Sequence, residues 1–338
     1  RFGARLVVGV TALSIILPTL ALAQLSASDT GRCINAINKG MRKVTLAATK
    51  ETRSCVAKKA GGLLGPQSVS QCIAAGAGVQ KASIGALIAA DNSCDGFPPT
   101  FGPPSISLHG TRAVQLSQHY LQDLFGSTPD PVIATNSVVM GCQTAVLKAA
   151  AKCQDLRINS FNNCKKEGLK RGFVTDSVEL QTTCLGTGST QPDPTGGKMA
   201  VTCVDVPAKK IESSCVSRGV ALDQAFPGCG ATTAAGLAQC ADERLRCRLC
   251  NLLNDVDGLS RDCDLFDDAN DGNETCAEPP ECGDADLESG EGGDDGGSAA
   301  GDGCSPLCTV ETGWSCAGEP SSCAPVCGDG LLTGGEAC

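Results

Sequence analysis

Apolar residues return along this chain with helical rather than strand-like spacing. From Ser28 onward, Cys33, Ile37, Met41, Val44, Ala48 and Cys55 fall close to a 3.6-residue period, with Ser28, Asp29 and Thr30 as N-cap candidates. Gly61, Gly62, Gly65 and Pro66 break that helix. Ser68 with Gln71 three residues later reads as a capping box for the next one, whose apolar stripe is Cys72, Val79, Leu87 and Cys94. Cys33 and Cys55 are 22 residues apart, and so are Cys72 and Cys94. Over that span an ideal helix rises about 33 Å and returns to within roughly 40° of its starting azimuth, so each helix carries two cysteines on one face at opposite ends. Two cysteines so far apart cannot bond to each other. Antiparallel packing of the two helices predicts Cys55 with Cys72 near the turn and Cys33 with Cys94 at the open end.

The Pro- and Gly-rich residues 95 to 104 cannot continue a helix and predict a rigid connector. Thr111 to Phe125, with Val114, Leu116, Tyr120, Leu121 and Leu124, predicts a short helix docking on the hairpins. From Ser137 the first pattern returns: Cys142 and Cys164 are again 22 apart, with Val146, Ala149, Cys153 and Leu156 between them. Gly168 and Gly172 end this helix, and Asp176 with Glu179 offers the next cap. A Gly-, Thr- and Pro-rich insertion, Gly186 to Gly197, separates Cys184 from Cys203 and Cys215. Because Cys153 and Cys203 lie at similar heights of an antiparallel pair, this hairpin predicts three rungs: Cys142 with Cys215, Cys153 with Cys203, and Cys164 with Cys184. A further helix is expected from Thr232 to about Asn254. The fold class is therefore mainly α: two disulfide-stapled antiparallel helical hairpins followed by a small, irregular, disulfide-rich tail.

Composition sets the compartment. The 338 residues include 23 Cys and 41 Gly but one Trp, one Tyr and two His. Thiols in this number are used as cross-links in secreted proteins and are avoided in the cytosol. Arg1 and Arg5 precede an apolar run, Leu6 to Leu22, which ends in Ala21-Leu22-Ala23, the pattern of a secretory signal peptide cleaved after Ala23. No later stretch free of charge approaches membrane-spanning length, so no membrane insertion is expected after cleavage. The start on Arg and the stop at a cysteine in mid-motif look like the ends of a fragment.

Charge divides the chain. Residues 24–228 hold 21 Lys and Arg against 14 Asp and Glu, whereas residues 229–338 hold 4 against 23. Such a split marks parts with different partners or different solvation. The basic half is only mildly so, its cations are dispersed and aromatics are few, which argues against nucleic acid.

The candidate chemistry is sparse. His109 and His119, ten residues apart, lack the spacing of a helical metal pair. Cys247-Arg248-Leu249-Cys250 is a C-x-x-C, but no thioredoxin-like βαβ pattern surrounds it and no second close pair completes a zinc site, which leaves structural disulfides. Asp267, Ala269, Asp271, Gly272 and Glu278 follow calcium-loop spacing, with Ala269 in place of one ligand. No G-x-S-x-G or H-E-x-x-H is present, so no catalytic role is expected.

The tail carries Cys282-Gly283-Asp284, Gly290-Glu291, Asp294-Asp295-Gly296, Gly301-Asp302-Gly303-Cys304, Cys308, Gly313-Trp314-Ser315-Cys316 and Cys323, and restarts at Cys327-Gly328-Asp329-Gly330. It resembles the Myxococcus cysteine-rich repeat: a degenerate copy over 282–326, then a second over 327–338 that ends after two cysteines. Residues 229–281 form an acidic junction before it. The resemblance implies a secreted or surface protein of a family without an agreed biochemical activity. Where the pattern has a cysteine before its Asp-Asp-Gly-Asn, this chain has Gly293, and Gly297 replaces the Asn. Sixteen cysteines precede Cys282 and seven follow from it, so at least one tail thiol is left unpaired or bonded to another chain or to sequence beyond this one. The Asp-Gly clusters at Asp294, Asp295 and Asp302 predict tight turns with outward carboxylates, which suits calcium as a folding ligand or simple solvation. Trp314 is expected to be the nucleus against which the tail disulfides pack.

Two functions follow from these features, with a third behind them. The first is a non-catalytic secreted or cell-surface structural or binding protein whose partner is an extracellular protein or surface polymer. The second is a calcium-binding adhesion or matrix protein, calcium being the only cofactor in view. The third is an inhibitor-like rigid binder.

Overall fold

The computed structural model describes residues 27–94, 106–188, 191–266, 276, 292–297, 301–305, 309–328 and 331. The expected signal segment, the connector at 95–104 and the calcium-loop residues Asp267, Asp271 and Glu278 lie outside the described residues.

The chain is mainly helical. α1 (Ala27–Ala60) runs 34 residues, so Ser28, Asp29 and Thr30 lie inside the helix rather than capping it. Its cysteines sit where the period puts them, and Cys33, Ile37, Met41, Val44, Ala48 and Cys55 are all buried. After the glycine-rich turn, α2 (Val69–Ala74) opens with the full Ser68/Gln71 capping box. α3 (Ala77–Cys94) follows after a break at Ala75-Gly76. At Gly76 the chain passes so close to α1 that a Cβ would stand 2.6 Å from Glu51 Cγ.

That close approach changes the buried stripe of the returning helix. Val79, Ala86, Ala90 and Cys94 are buried, but Leu87 is 42% exposed, contrary to its expected place on the stripe. The cause is a small-on-small contact: a Cβ built at Gly40 of α1 would lie 2.7 Å from the Ala86 Cβ. Helices meeting through glycine and alanine pack closely, and the larger side chains of α3 are turned outward. Val69–Cys94 is by length and composition apolar enough to cross a membrane, a property the charge-based reading passed over, yet disulfides fix Cys72 and Cys94 to the strongly charged α1.

α4 (Ile106–Phe125) is the docking helix, five residues longer than expected, with Leu116, Tyr120, Leu121, Leu124 and Phe125 buried. The second hairpin starts with α5 (Ser137–Arg171), capped by Asn136 and ended by Gly172 with φ 74°. α6 (Ser177–Leu180) begins at the Asp176 cap and passes into a π-helical turn, Gln181–Leu185, that carries Cys184. In the insertion, the Asp193 carboxylate accepts the Thr195, Gly197 and Met199 N–H groups and organises the entry to α7 (Lys198–Ala200). A second π-helical turn, Val201–Asp205, carries Cys203 and continues into α8 (Val206–Ser214). π-helical turns shift helix phase by a residue, and both occur where a cysteine must face α5. After α9 (Leu222–Ala225), α10 (Ala234–Asp257) starts at its Thr233 cap and ends on Gly258 with φ 60°.

α10 packs on α4, α5 and α8, and one apolar core runs from Cys33 to Cys276 through all these elements. The hairpins meet directly through α1 and α5, and the junction helix adds a layer over α4 and the second hairpin. In the tail, β1 (Trp314–Ala317) and β2 (Ser322–Pro325) form an antiparallel hairpin with Cys316 opposite Cys323.

Candidate functional site

The first group of site residues is the sulfur framework. Cys33 bonds to Cys94 and Cys55 to Cys72 across the first hairpin. Cys142 bonds to Cys215, Cys153 to Cys203, and Cys164 to Cys184 across the second. These are the five pairs that the spacing predicts. Cys229 joins Cys240, and the C-x-x-C opens outward: Cys247 bonds to Cys276 and Cys250 to Cys263. That motif therefore closes two nested loops. All sixteen cysteines before Cys282 are consumed among themselves. Chain-entropy arguments give each bridge about 3 to 4.5 kcal/mol for loops of this length.

The second group is a set of buried ion pairs that sequence reading missed. Lys165 of α5 and Asp257 of α10 pair with no exposure of either side chain, and Lys165 Nζ also donates to Asn38 Oδ1 of α1. Burial pushes the Asp257 carboxyl up, opposed by the Lys165 charge. Arg157 of α5 grips Asp242 of α10 through Nε and Nη2, at 3.0 and 2.6 Å. Arg248 of α10 pairs with Asp123 of α4 through two bonds of 2.8 Å. Arg112 lies 3.0 Å from Asp255. Part of the acidic half therefore neutralises the basic half inside the molecule. This internal pairing adds to the expectation that the charge split marks different partners or different solvation. Between the hairpins themselves, Arg42 of α1 makes a two-bond pair with Asp155 of α5.

The two histidines sit in the helical body. His109 is 1% exposed and neither ring nitrogen has a hydrogen-bond partner. Burial lowers its pKa to about 4, against the nearby Met41 backbone, which pulls the other way. His119 is lowered to about 4 by burial and then by Arg248, against Asp123. Both rings are therefore neutral at pH 7. Neither histidine lines the cavities of the helical body, which are small: one lined by Tyr120, Cys153, Asp242 and Leu245 holds about 10 Å³, and one lined by Thr52, Tyr120 and Gln154 about 20 Å³. Each has room for one water molecule, against the ~300 Å³ or more of a small-molecule pocket.

The third group is in the tail. Cys316 and Cys323 are bonded, Cys327 is also disulfide-bonded, and Cys304 is a buried free thiol. The Cys304 sulfur stands 3.5 Å from Cys323 Sγ and 3.7 Å from Cys316 Sγ. Burial first, then the carboxylates of Asp295, Asp294 and Asp302, push this thiol up, so it is a poor nucleophile at neutral pH. A Cβ built at Gly293 would lie 2.8 Å from the same sulfur. The thiol thus faces the position where the repeat pattern has its cysteine. Its burial also means that a cysteine of another chain cannot reach it directly.

The described acidic residues of the tail brace turns. Asp294 Oδ1 accepts the Gly296 N–H and Asp295 Oδ1 the Gly297 N–H, while the Glu311 carboxylate accepts from Gly301 and Gly303. Asp302 Oδ2 and Asp295 Oδ1 both lie near Gly297, 3.4 and 3.2 Å from where its Cβ would be. Trp314 is half-buried, and its Cε3 and the Cys323 side chain both lie beside Gly303.

Among the described residues, three groups bring potential metal-ligating atoms within 4.8 Å of one another: Cys304, Cys316 and Cys323; Glu51, Cys55 and Cys72; and Cys153, Cys203 and Asp242. In each, two of the sulfurs are already joined to each other, so a metal would require prior reduction. Comparison with protein-family models, with curated proteins and with solved structures finds no match to this chain.

Proposed function

We propose that this chain is a non-catalytic secreted or cell-surface protein that acts as a rigid structural or binding module, with its tail as a repeat of the kind it resembles. One observation carries the reading. Nine disulfides among the described residues, together with buried ion pairs, commit the reactive side chains of the helical body to holding its shape. Such a density of cross-links belongs to an oxidising compartment outside the cytosol. Neutral histidines, cavities of one water and a deprotonation-resistant thiol are ill suited to acid, base or nucleophilic work. The partner class that fits is an extracellular protein or a surface polymer.

The test is a hydrolase and oxidoreductase activity panel run on the oxidised chain beside pull-down from the source cell's surface fraction. The reading expects no turnover above a chain with unfolded, alkylated cysteines. Turnover that is lost in a His109 or His119 variant of native stability would reject it. A calcium-dependent adhesion role is the competing account, since Asp295 and Asp302 converge near Gly297, and calcium titration separates the two.

A further inference from the structure

We propose that α3 is a self-association face on which two copies of the chain pair antiparallel, centred on Ala86. The inference starts from the inverted packing of this helix. Its alanine side is spent on α1 and α4, and its large apolar side chains are left outside: Ile84 is 58%, Leu87 42% and Ile88 57% exposed. Three neighbouring large aliphatic side chains at this exposure form a contiguous patch of the kind that marks an interaction surface.

The charges on the helix say what covers the patch. Lys81 and Asp91 are the only charged residues of α3, and both are exposed. With 100° per residue, Lys81, Ile84, Ile88 and Asp91 fall within roughly 80° of arc, on the side opposite Ala86 and Ala90. Ile84, Ile88 and Asp91 stand 3, 7 and 10 residues from Lys81, the alternating three-and-four spacing of a coiled-coil seam. In an antiparallel pair with its two-fold axis level with Ala86, Ile84 of one copy meets Ile88 of the other, twice. Lys81 meets Asp91 at each end, and Leu87 lies level with Gly85, whose Cα has open space around it. Every contact is complementary in this one register. A parallel pair would set lysine against lysine and aspartate against aspartate. A two-fold pairing of this kind uses the same patch on both copies and is closed, so it stops at a dimer.

The size of the face fixes the strength. An 18-residue helix is about 27 Å long, so one helix pair makes an interface at or below the ~1,200 Å² lower edge of stable complexes. The dimer is therefore concentration-dependent, with dissociation in the micromolar range or weaker.

Sedimentation equilibrium of the full oxidised chain, from about 1 µM to about 1 mM, tests the proposal, with circular dichroism to show that each variant is folded. The native chain is expected to pass from monomer to dimer. Lys81→Glu alone and Asp91→Lys alone each weaken the dimer about tenfold, and the double charge swap Lys81→Glu/Asp91→Lys restores it. Ile84→Glu with Ile88→Glu abolishes it. A chain that stays monomeric throughout overturns the proposal, and so does a dimer that the double swap fails to restore. A chain that remains monomeric but sediments with phosphatidylcholine vesicles overturns it in favour of a lipid surface.

Discussion

Lys165 and Asp257, 92 residues apart in sequence, meet in an ion pair from which both side chains are fully excluded from solvent. A buried pair is costly to desolvate, and its loss on one side leaves an uncompensated charge. Lys165→Met should therefore destabilise the chain by about 3 to 5 kcal/mol, because Asp257 Oδ2 already has no hydrogen-bond partner. The double variant Lys165→Met/Asp257→Leu should recover most of that loss. Urea denaturation of both variants checks the pair, and equal losses in single and double would show that the charges are not coupled.

Acid should weaken the fold through the histidines. His109 is held near pKa 4 against 6.5 when unfolded, so the unfolded chain binds the extra proton between those values. The corresponding stability is full above about pH 6.5 and is lost as pH falls toward 4, up to about 3 kcal/mol for this residue. The raised carboxyl of Asp257 acts in the opposite direction, so the comparison is made within one background. His109→Leu should flatten the decline between pH 6.5 and 4.5 relative to the native chain, measured by denaturation at each pH.

The thiol of Cys304 is unpaired beside Gly293, whose Cβ position lies 2.8 Å from the sulfur and whose backbone is outside the left-handed region. That distance is close to the ~3 Å between a Cβ and the far sulfur of a disulfide. Gly293→Cys should therefore bond to Cys304 and remove it from the alkylatable thiols, as seen by peptide mass mapping. In the native chain, Cys304 should resist alkylation until the tail is unfolded.

Millimolar calcium should leave the melting temperature unchanged. The carboxylates of Asp294, Asp295 and Glu311 are already engaged with backbone N–H groups of their own turns. A ligand that bound only the folded chain would raise the transition, and an upward shift of several degrees in calorimetry would instead favour the adhesion reading.

Much of the helical body was legible because cysteine spacing reports helical phase. A separation of 22 repeated three times fixes both the face and the height of each sulfur, and the capping box at Ser68 fixes where the return helix starts. The position of α10 was not legible. Asp242, Asp255 and Asp257 read only as members of the acidic junction, because nothing local distinguishes a carboxylate that will meet Arg157, Arg112 or Lys165. Nor was the outward turn of Leu87 legible, although Cys72, Val79 and Cys94 of the same stripe are buried as expected. Side-chain hydrophobicity puts Leu87 inside, whereas the closeness that Gly40 permits to Ala86 puts alanines inside and Leu87 out.

The account rests on the stapled ladder, and disulfide mapping of the oxidised chain by non-reducing digestion and mass spectrometry tests it most directly. The expected peptides join Cys33 to Cys94, Cys55 to Cys72, Cys142 to Cys215, Cys153 to Cys203 and Cys164 to Cys184. A bond from Cys33 to Cys55 or Cys72, or reduced thiols at these ten positions in the folded chain, would contradict it.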